Sequence, residues 1–290
     1  MRVRSRGHAL RRRRAPRAWC AIAALALALA LSASPTVRAA PIDAYPRAAA
    51  AYIVIADGRP LWVRAAAAPR PPASLAKLLT ALVLLDRGWR PGADIVVSAR
   101  AAGVEGSRLG LRAGESLTAG DALTALLVRS ANDACVALAE HAAGSLQAFA
   151  ERMNARATRL GLRDSHFVHP CGLDAPGQKS SARDLLRVAI AAMEEPAIAR
   201  IVALREAVVT TGGGRRLAMH NGNALLGRVD GVVGIKSGYT SGAGKCVIAL
   251  ARRGAHSVWL VMLDAPDRWW VAAGIIDAAF RELDAGGAAG

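Results

Sequence analysis

The sequence predicts an α+β fold: one antiparallel sheet flanked by helices, with a helical subdomain inserted in the middle. Three observations carry this. A short strand pair opens the folded region, a block of helical segments fills its middle, and three β-branched runs and a helix close it. Strands and helices segregated in this way indicate α+β rather than alternating βα units. With 290 residues, 53% hydrophobic and 21% charged, the chain can bury a sizeable core.

The elements follow in order. Residues 51–55 (AYIVI) and 60–63 are strand-like runs around Asp57-Gly58, a hairpin signal. Pro69 to Pro72 break the chain. From Ser74 the pattern turns helical (SLAKLLTALVLLDRG) and stops at Gly88 and Pro91. Residues 105–119 are glycine-spaced and read as loop. Residues 121–128 and 133–141 read as helices, with Arg129-Ser130-Ala131-Asn132 at their junction. An amphipathic helix is expected over 147–160 and another over 182–193, with Ser180 or Ser181 as N-cap. The period then changes to that of strands at 231–236, 246–252 and 257–263, the last two joined by an Arg253-Gly254 turn. Asp267 opens a final helix ending near Leu283. No internal repeat is visible.

The formal charge of +16 misleads about partners. Residues 1–39 hold nine arginines and no acid, so removing them leaves +7 for the rest of the chain. That excess calls for no nucleic-acid partner. The same segment has the three parts of an export signal: basic residues up to Arg17, an apolar run from Ala18 to Ala33, and Val37-Arg38-Ala39 at a cleavage site. Sixteen apolar residues fall short of the ~20 that span a bilayer, so no stable membrane anchor is expected after signal removal. Cys20 lacks the leucine and small residues that precede a lipidated cysteine. Residues 1–39 are therefore read as a signal peptide and 40–290 as one domain, its helical subdomain at about 100–205.

Signal removal leaves Cys135, Cys171 and Cys246, an odd number. One bridge can form in an oxidising compartment, and the sequence does not choose it. His166, His169 and Cys171 lie close together, but no second Cys/His pair has matching spacing, so no metal site is assigned.

The chain has 34 arginines and only four lysines: Lys77, Lys179, Lys236 and Lys245. Lysine can lose its proton near neutral pH where arginine cannot. Ser74-Leu75-Ala76-Lys77 puts a hydroxyl and an amine on one helix face. A serine hydroxyl needs a base to attack, and a buried lysine beside another cation can stay neutral and act as one. Ser130-Ala131-Asn132 follows at a helix junction, and Lys236-Ser237-Gly238 at a strand end. S-x-x-K, S-x-N and K-[ST]-G in this order form a recognised serine-acylation signature.

With these motifs the chain resembles the low-molecular-weight penicillin-binding proteins that act as serine-type D-Ala-D-Ala carboxypeptidases. The resemblance extends over about residues 45–280. It includes Pro72–Ala81 (PASLAKLLTA), Ser130–His141 (SANDACVALAEH), Met153–Asp174 and Gly234–Cys246 (GIKSGYTSGAGKC). It implies a β-lactamase/DD-peptidase-like fold and no cofactor. It implies Ser74 as the acylated nucleophile, Lys77 as its base, Ser130 as proton carrier to the leaving amine, and Asn132 on the substrate amide. Lys236 would hold Ser130 and the substrate carboxylate. Ser237, Gly238 and Tyr239 would line the edge strand that takes the peptide, with the N–H groups of Ser74 and Tyr239 as oxyanion hole.

The substrates implied are peptidoglycan stem peptides, with β-lactams as covalent inhibitors and the periplasm as location. Two departures stand out. Ser237 replaces the usual threonine. Only 27 residues follow Leu263, which leaves no room for the second β-rich domain and terminal amphipathic helix of many relatives and implies a soluble form. The alternatives are an endopeptidase cutting D-Ala cross-links, which shares the chemistry, and a non-catalytic penicillin-binding wall protein. A β-lactamase is disfavoured because no acidic deacylation motif lies between Asn132 and Lys236. Arg268 is a candidate anchor for the substrate carboxylate.

Overall fold

The computed structural model describes residues 42–86 and 88–287. The expected signal peptide lies outside the described residues.

β1 (Ala51–Ala56) and β2 (Arg59–Arg64) form the first hairpin. Asp57 and Gly58 both have positive φ, 45° and 76°, as a two-residue turn between right-twisted strands requires. A tight 3-10 turn follows at Ala73–Ala76, then α1 (Lys77–Leu85). The α-helix thus begins three residues later than the sequence pattern indicates. Ala73 sits at φ 48°, and the Leu75 N–H reaches the Pro72 carbonyl in the tighter 3-10 pattern. Leu78, Leu79, Ala81, Leu82 and Leu84 of α1 are all buried. A helix apolar on every side belongs in the interior, and α1 runs through the centre of the helical layer.

Around it come β3 (Asp94–Val96), α2 (Ala99–Gly103), β4 (Ser116–Thr118), α3 (Ala119–Val128), α4 (Asn132–Ala143), α5 (Leu146–Arg159), α6 (Ala182–Glu194) and α7 (Pro196–Val202). Ser98, Thr118, Ser145 and Ser181 cap α2, α3, α5 and α6 through side-chain oxygens. A hairpin of β5 (Glu206–Thr210) and β6 (Arg216–His220) follows. The sequence reading omits it because each strand buries a single residue, Val209 and Met219, and neither run is strongly alternating.

The chain closes with β7 (Val232–Thr240), β8 (Gly244–Arg253), β9 (His256–Leu263) and α8 (Arg268–Gly287). β7 runs four residues past its expected end. Ser237 and Gly238 are poor strand formers, but pairing of Gly238 with Cys246 and of Tyr239 with Lys245 carries the ladder on.

The main sheet has the order β2-β1-β9-β8-β7, with every neighbour antiparallel. Side chains alternate between its faces with the strand period of two. Ala51, Ile53, Ile248, Leu250, Val261 and Leu263 join the core shared with the helical layer. Tyr52, Val54, Val247, Ala249, Leu260 and Met262 face a second core closed by Ile275, Ile276 and Ala279 of α8. Burial on both faces explains why these strands read as continuous apolar runs. β7 is the edge of the sheet beside the helical layer. No helix among the described residues is long and apolar enough to cross a membrane.

Candidate active site

The 3-10 turn and the first residue of α1 put Ser74 and Lys77 together. Lys77 Nζ lies 2.9 Å from Ser74 Oγ, 2.8 Å from Asn132 Oδ1 and 2.7 Å from the Cys171 carbonyl oxygen. The Lys77 side chain is fully buried. Burial, and secondarily the charge of Lys236, hold its pKa well below the usual lysine range. A neutral amine has two hydrogens to donate and one lone pair. With Asn132 and Cys171 taking the hydrogens, the lone pair is left for the Ser74 hydroxyl, the arrangement of a base beside a nucleophile.

Asn132 opens α4 and is itself buried. Its amide Nδ2 donates to the Glu105 carbonyl at 2.6 Å, which fixes which end of the side chain faces Lys77. Ser130, half-buried just before α4, stands at φ 62°. Its hydroxyl meets no hydrogen-bond partner among the described residues.

The third wall is β7. Lys236 is buried, and its Nζ donates to the Ser237 carbonyl at 2.8 Å. Burial, then the neighbouring charge of Arg268, pulls its pKa down to about 7. Ser237 Oγ donates to the Gly222 carbonyl at 2.9 Å. Gly238 is pressed against the serine turn. A Cβ there would stand 2.9 Å from the Ser74 backbone nitrogen and 3.0 Å from Ala73 Cβ. The glycine thus lets β7 approach the turn. Tyr239 follows, largely exposed. Arg268, the candidate carboxylate anchor, stacks on Trp269 and donates to the Gly238 carbonyl.

The structure thus brings Ser74, Lys77 and Asn132 into direct contact, with Lys236, Ser237 and Gly238 on the facing strand. It also assigns positions that side-chain motifs do not announce. Gly172, at φ 76°, packs so closely beneath the serine turn that an added Cβ would overlap the Ala73 carbonyl. Asp133, buried in α4, accepts from the backbone N–H groups of Leu109, Gly110, Leu111 and Ala134, and so pins residues 105–111 over Asn132. The Cys171 carbonyl is a backbone atom and leaves no trace in composition.

His166, His169 and Cys171 do not converge on a common point. Cys171 is joined to Cys135 in a disulfide, and its N–H donates to His169 Nδ1 at 3.1 Å. The His166 backbone pairs with Lys179. Burial, then the nearby Lys77, lowers the His169 pKa to about 4, so its ring is a neutral acceptor. Cys246 is buried and unpaired.

A family model described as D-alanyl-D-alanine carboxypeptidase matches residues 37–267. The chain is 36% identical to D-alanyl-D-alanine carboxypeptidase DacB2 of Mycobacterium tuberculosis, over 72% of this chain and 74% of that one. It is 35% identical to D-alanyl-D-alanine carboxypeptidase DacF of Bacillus subtilis over 63% of this chain, and spans only about half of that relative, 48%. It is also 33% identical to a D-alanyl-D-alanine endopeptidase of Escherichia coli, over 68% of this chain and 64% of that one. Among solved structures, a penicillin-binding protein homologue from Mycobacterium tuberculosis superposes with a TM-score of 0.77 at 32% identity, over 84% of this chain and 95% of that one.

Proposed function

The chain belongs to the D-alanyl-D-alanine carboxypeptidase family, and from that membership we propose that it removes the terminal D-alanine of peptidoglycan stem peptides through an acyl-enzyme on Ser74. The observation that carries this reading is the buried Lys77 amine 2.9 Å from Ser74 Oγ with its two other contacts on acceptors.

The steps follow from that geometry. Ser74 Oγ attacks the carbonyl carbon of the penultimate D-alanine as Lys77 takes its proton. The oxyanion that forms lies against the N–H groups of Ser74 and Tyr239, donors already fixed in place. Ser130 relays a proton from Lys77 to the departing amine, the C–N bond breaks, and D-alanine leaves. Water then attacks the ester, with Lys77 again as base. Asn132 orients the substrate amide. Lys236, Ser237 and Arg268 hold the terminal carboxylate, and the peptide lies along the outer edge of β7. β-Lactams acylate the same serine.

Residues 40–290 are proposed as one catalytic domain that follows an export signal at 1–39 and works in the periplasm. The test is incubation of purified protein with pentapeptide muropeptides and, separately, with a fluorescent penicillin. Release of one D-alanine per monomer, and the label on the Ser74 peptide by mass spectrometry, are the expected results. Absence of both would end this reading.

A second reading, cleavage of D-alanyl cross-links, is favoured by the similarity to the Escherichia coli endopeptidase. Conversion of dimeric muropeptides to monomers, with monomers left intact, would select it.

A further inference from the structure

The Cys135–Cys171 disulfide joins the two elements that aim Lys77. Cys135 lies in the first turn of α4, three residues after Asn132, and Cys171 lies in the loop between α5 and α6. The Cα atoms are 5.9 Å apart. Asn132 Oδ1 and the Cys171 carbonyl are the two acceptors that take the hydrogens of Lys77 Nζ. Apart from Cys171 Sγ, which lies 3.9 Å from the Asn132 carbonyl oxygen, their other bonds run elsewhere. Asn132 Nδ2 goes to Glu105 O, and the Cys171 N–H goes to His169 Nδ1 in its own loop. The S–S bond crosses the gap. The residue after it, Gly172, has no slack either, since it is packed against the Ala73 carbonyl just before Ser74.

We propose that this disulfide is a positioning device for the base, so that acylation of Ser74 depends on the redox state of Cys135 and Cys171. Closed, it holds both acceptors at the distances that leave one direction for the Lys77 lone pair. A dithiol opens it in a two-electron step. One thiolate attacks a protein sulfur and forms a mixed disulfide, the second thiol displaces it, and two protein thiols and a cyclic disulfide result. The loop carrying Cys171 then keeps the bond from Thr80 Oγ1 of α1 to the Pro170 carbonyl at 2.6 Å and the packing of Gly172 on Ala73, but loses its covalent tie to α4. A displacement of one acceptor by about 1 Å is enough to lower the rate by about 10-fold to 100-fold.

This inference rests on the reading of Ser74 as the acylated residue. A disulfide that served stability alone would leave the chemistry unchanged once the protein is folded, so the decisive readout is the pH profile of acylation. The ionisable groups facing Lys77 are Lys236 from β7 and His169 from the loop, and both are kept in the test variants.

The experiment is stopped-flow acylation by a fluorescent penicillin from pH 5 to 9, for the oxidised protein and for the Cys135→Ala/Cys171→Ala variant, well below the melting temperature of each. The expected result is a rate lowered by about 10-fold or more at pH 7, with the acid limb moved to higher pH as water enters and makes the Lys77 amine easier to protonate. A folded variant with the wild-type rate and profile overturns the proposal. Should the variant not fold, the wild-type protein is treated with dithiothreitol. Alkylation and peptide mass then confirm free Cys135 and Cys171, and near-UV circular dichroism confirms the fold. Unchanged acylation there overturns the proposal equally. Oxidised wild-type protein that takes no label would instead sink the proposed function, which keeps the two failures distinct.

Discussion

The Lys77 amine stands 2.9 Å from the Ser74 hydroxyl with no charged acid beside it. Its contacts are a hydroxyl, an amide oxygen and a carbonyl, and the nearest charge acting on it is another lysine. Burial and that charge both favour the neutral form. Lys77→Arg keeps nitrogen donors in the site but fixes the charge. It is expected to slow penicillin acylation by about 10²–10⁴-fold, the usual contribution of a general base. Acylation of the arginine variant at the wild-type rate would show that another group takes the proton.

Gly238→Ala puts a methyl group 2.9 Å from the Ser74 nitrogen and 3.0 Å from Ala73 Cβ. The nearest atom is backbone of the serine turn and cannot swing aside, so the edge strand and the turn must separate. The expected cost is about 1–3 kcal/mol of stability, read by urea denaturation, with a fall in acylation rate that exceeds the loss of folded protein. Unimpaired acylation would mean that the approach of β7 to the turn is not needed.

Lys236 has a folded-state pKa near 7 against about 10.4 in an unfolded chain. The folded state therefore binds fewer protons between these values, and its stability rises with pH through that window. Below about 7 the full cost of burying the cation remains. Lys236→Met is expected to raise the melting temperature at pH 6 and to gain progressively less as pH approaches 10. A gain independent of pH would contradict a buried, titrating lysine. In the free enzyme the same deprotonation removes a positive charge above pH 7, so kcat/KM for a substrate with a free carboxylate is expected to decline there.

Asp133→Asn replaces a carboxylate that receives four backbone N–H groups by an amide whose nitrogen must face some of them. The expected loss is about 1.5–3 kcal/mol. Residues 105–111 should loosen first, seen as faster amide hydrogen exchange at Leu109, Gly110 and Leu111. Protection equal to wild type would place the restraint elsewhere.

The sheet strands and most helices are legible in the sequence because apolar periodicity, Gly turns and Ser or Thr caps agree locally. The candidate site is legible where it consists of side chains with unusual chemistry: two of the four lysines in a chain of 34 arginines, Lys77 one helical turn after Ser74 and Lys236 just before Ser237. It is not legible where geometry comes from the main chain. The Cys171 and Glu105 carbonyls, the left-handed Ala73 and the contact of Gly172 with it depend on tertiary approach, and any residue type carries a carbonyl. The pairing of Cys135 with Cys171 rather than Cys246 was likewise decided by which loop comes to rest beside α4. The short β5–β6 hairpin escaped because it buries too little to impose a pattern.

The central position of β9 between β1 and β8 has a consequence for biosynthesis. The first strand to leave the ribosome finds its second neighbour in one of the last, and Lys236, on β7, is joined to that late addition only through β8. A chain still under synthesis has no completed platform and no assembled pocket. It should stay pliant enough to be threaded through a narrow conduit, and inert toward penicillin until its final segment has emerged.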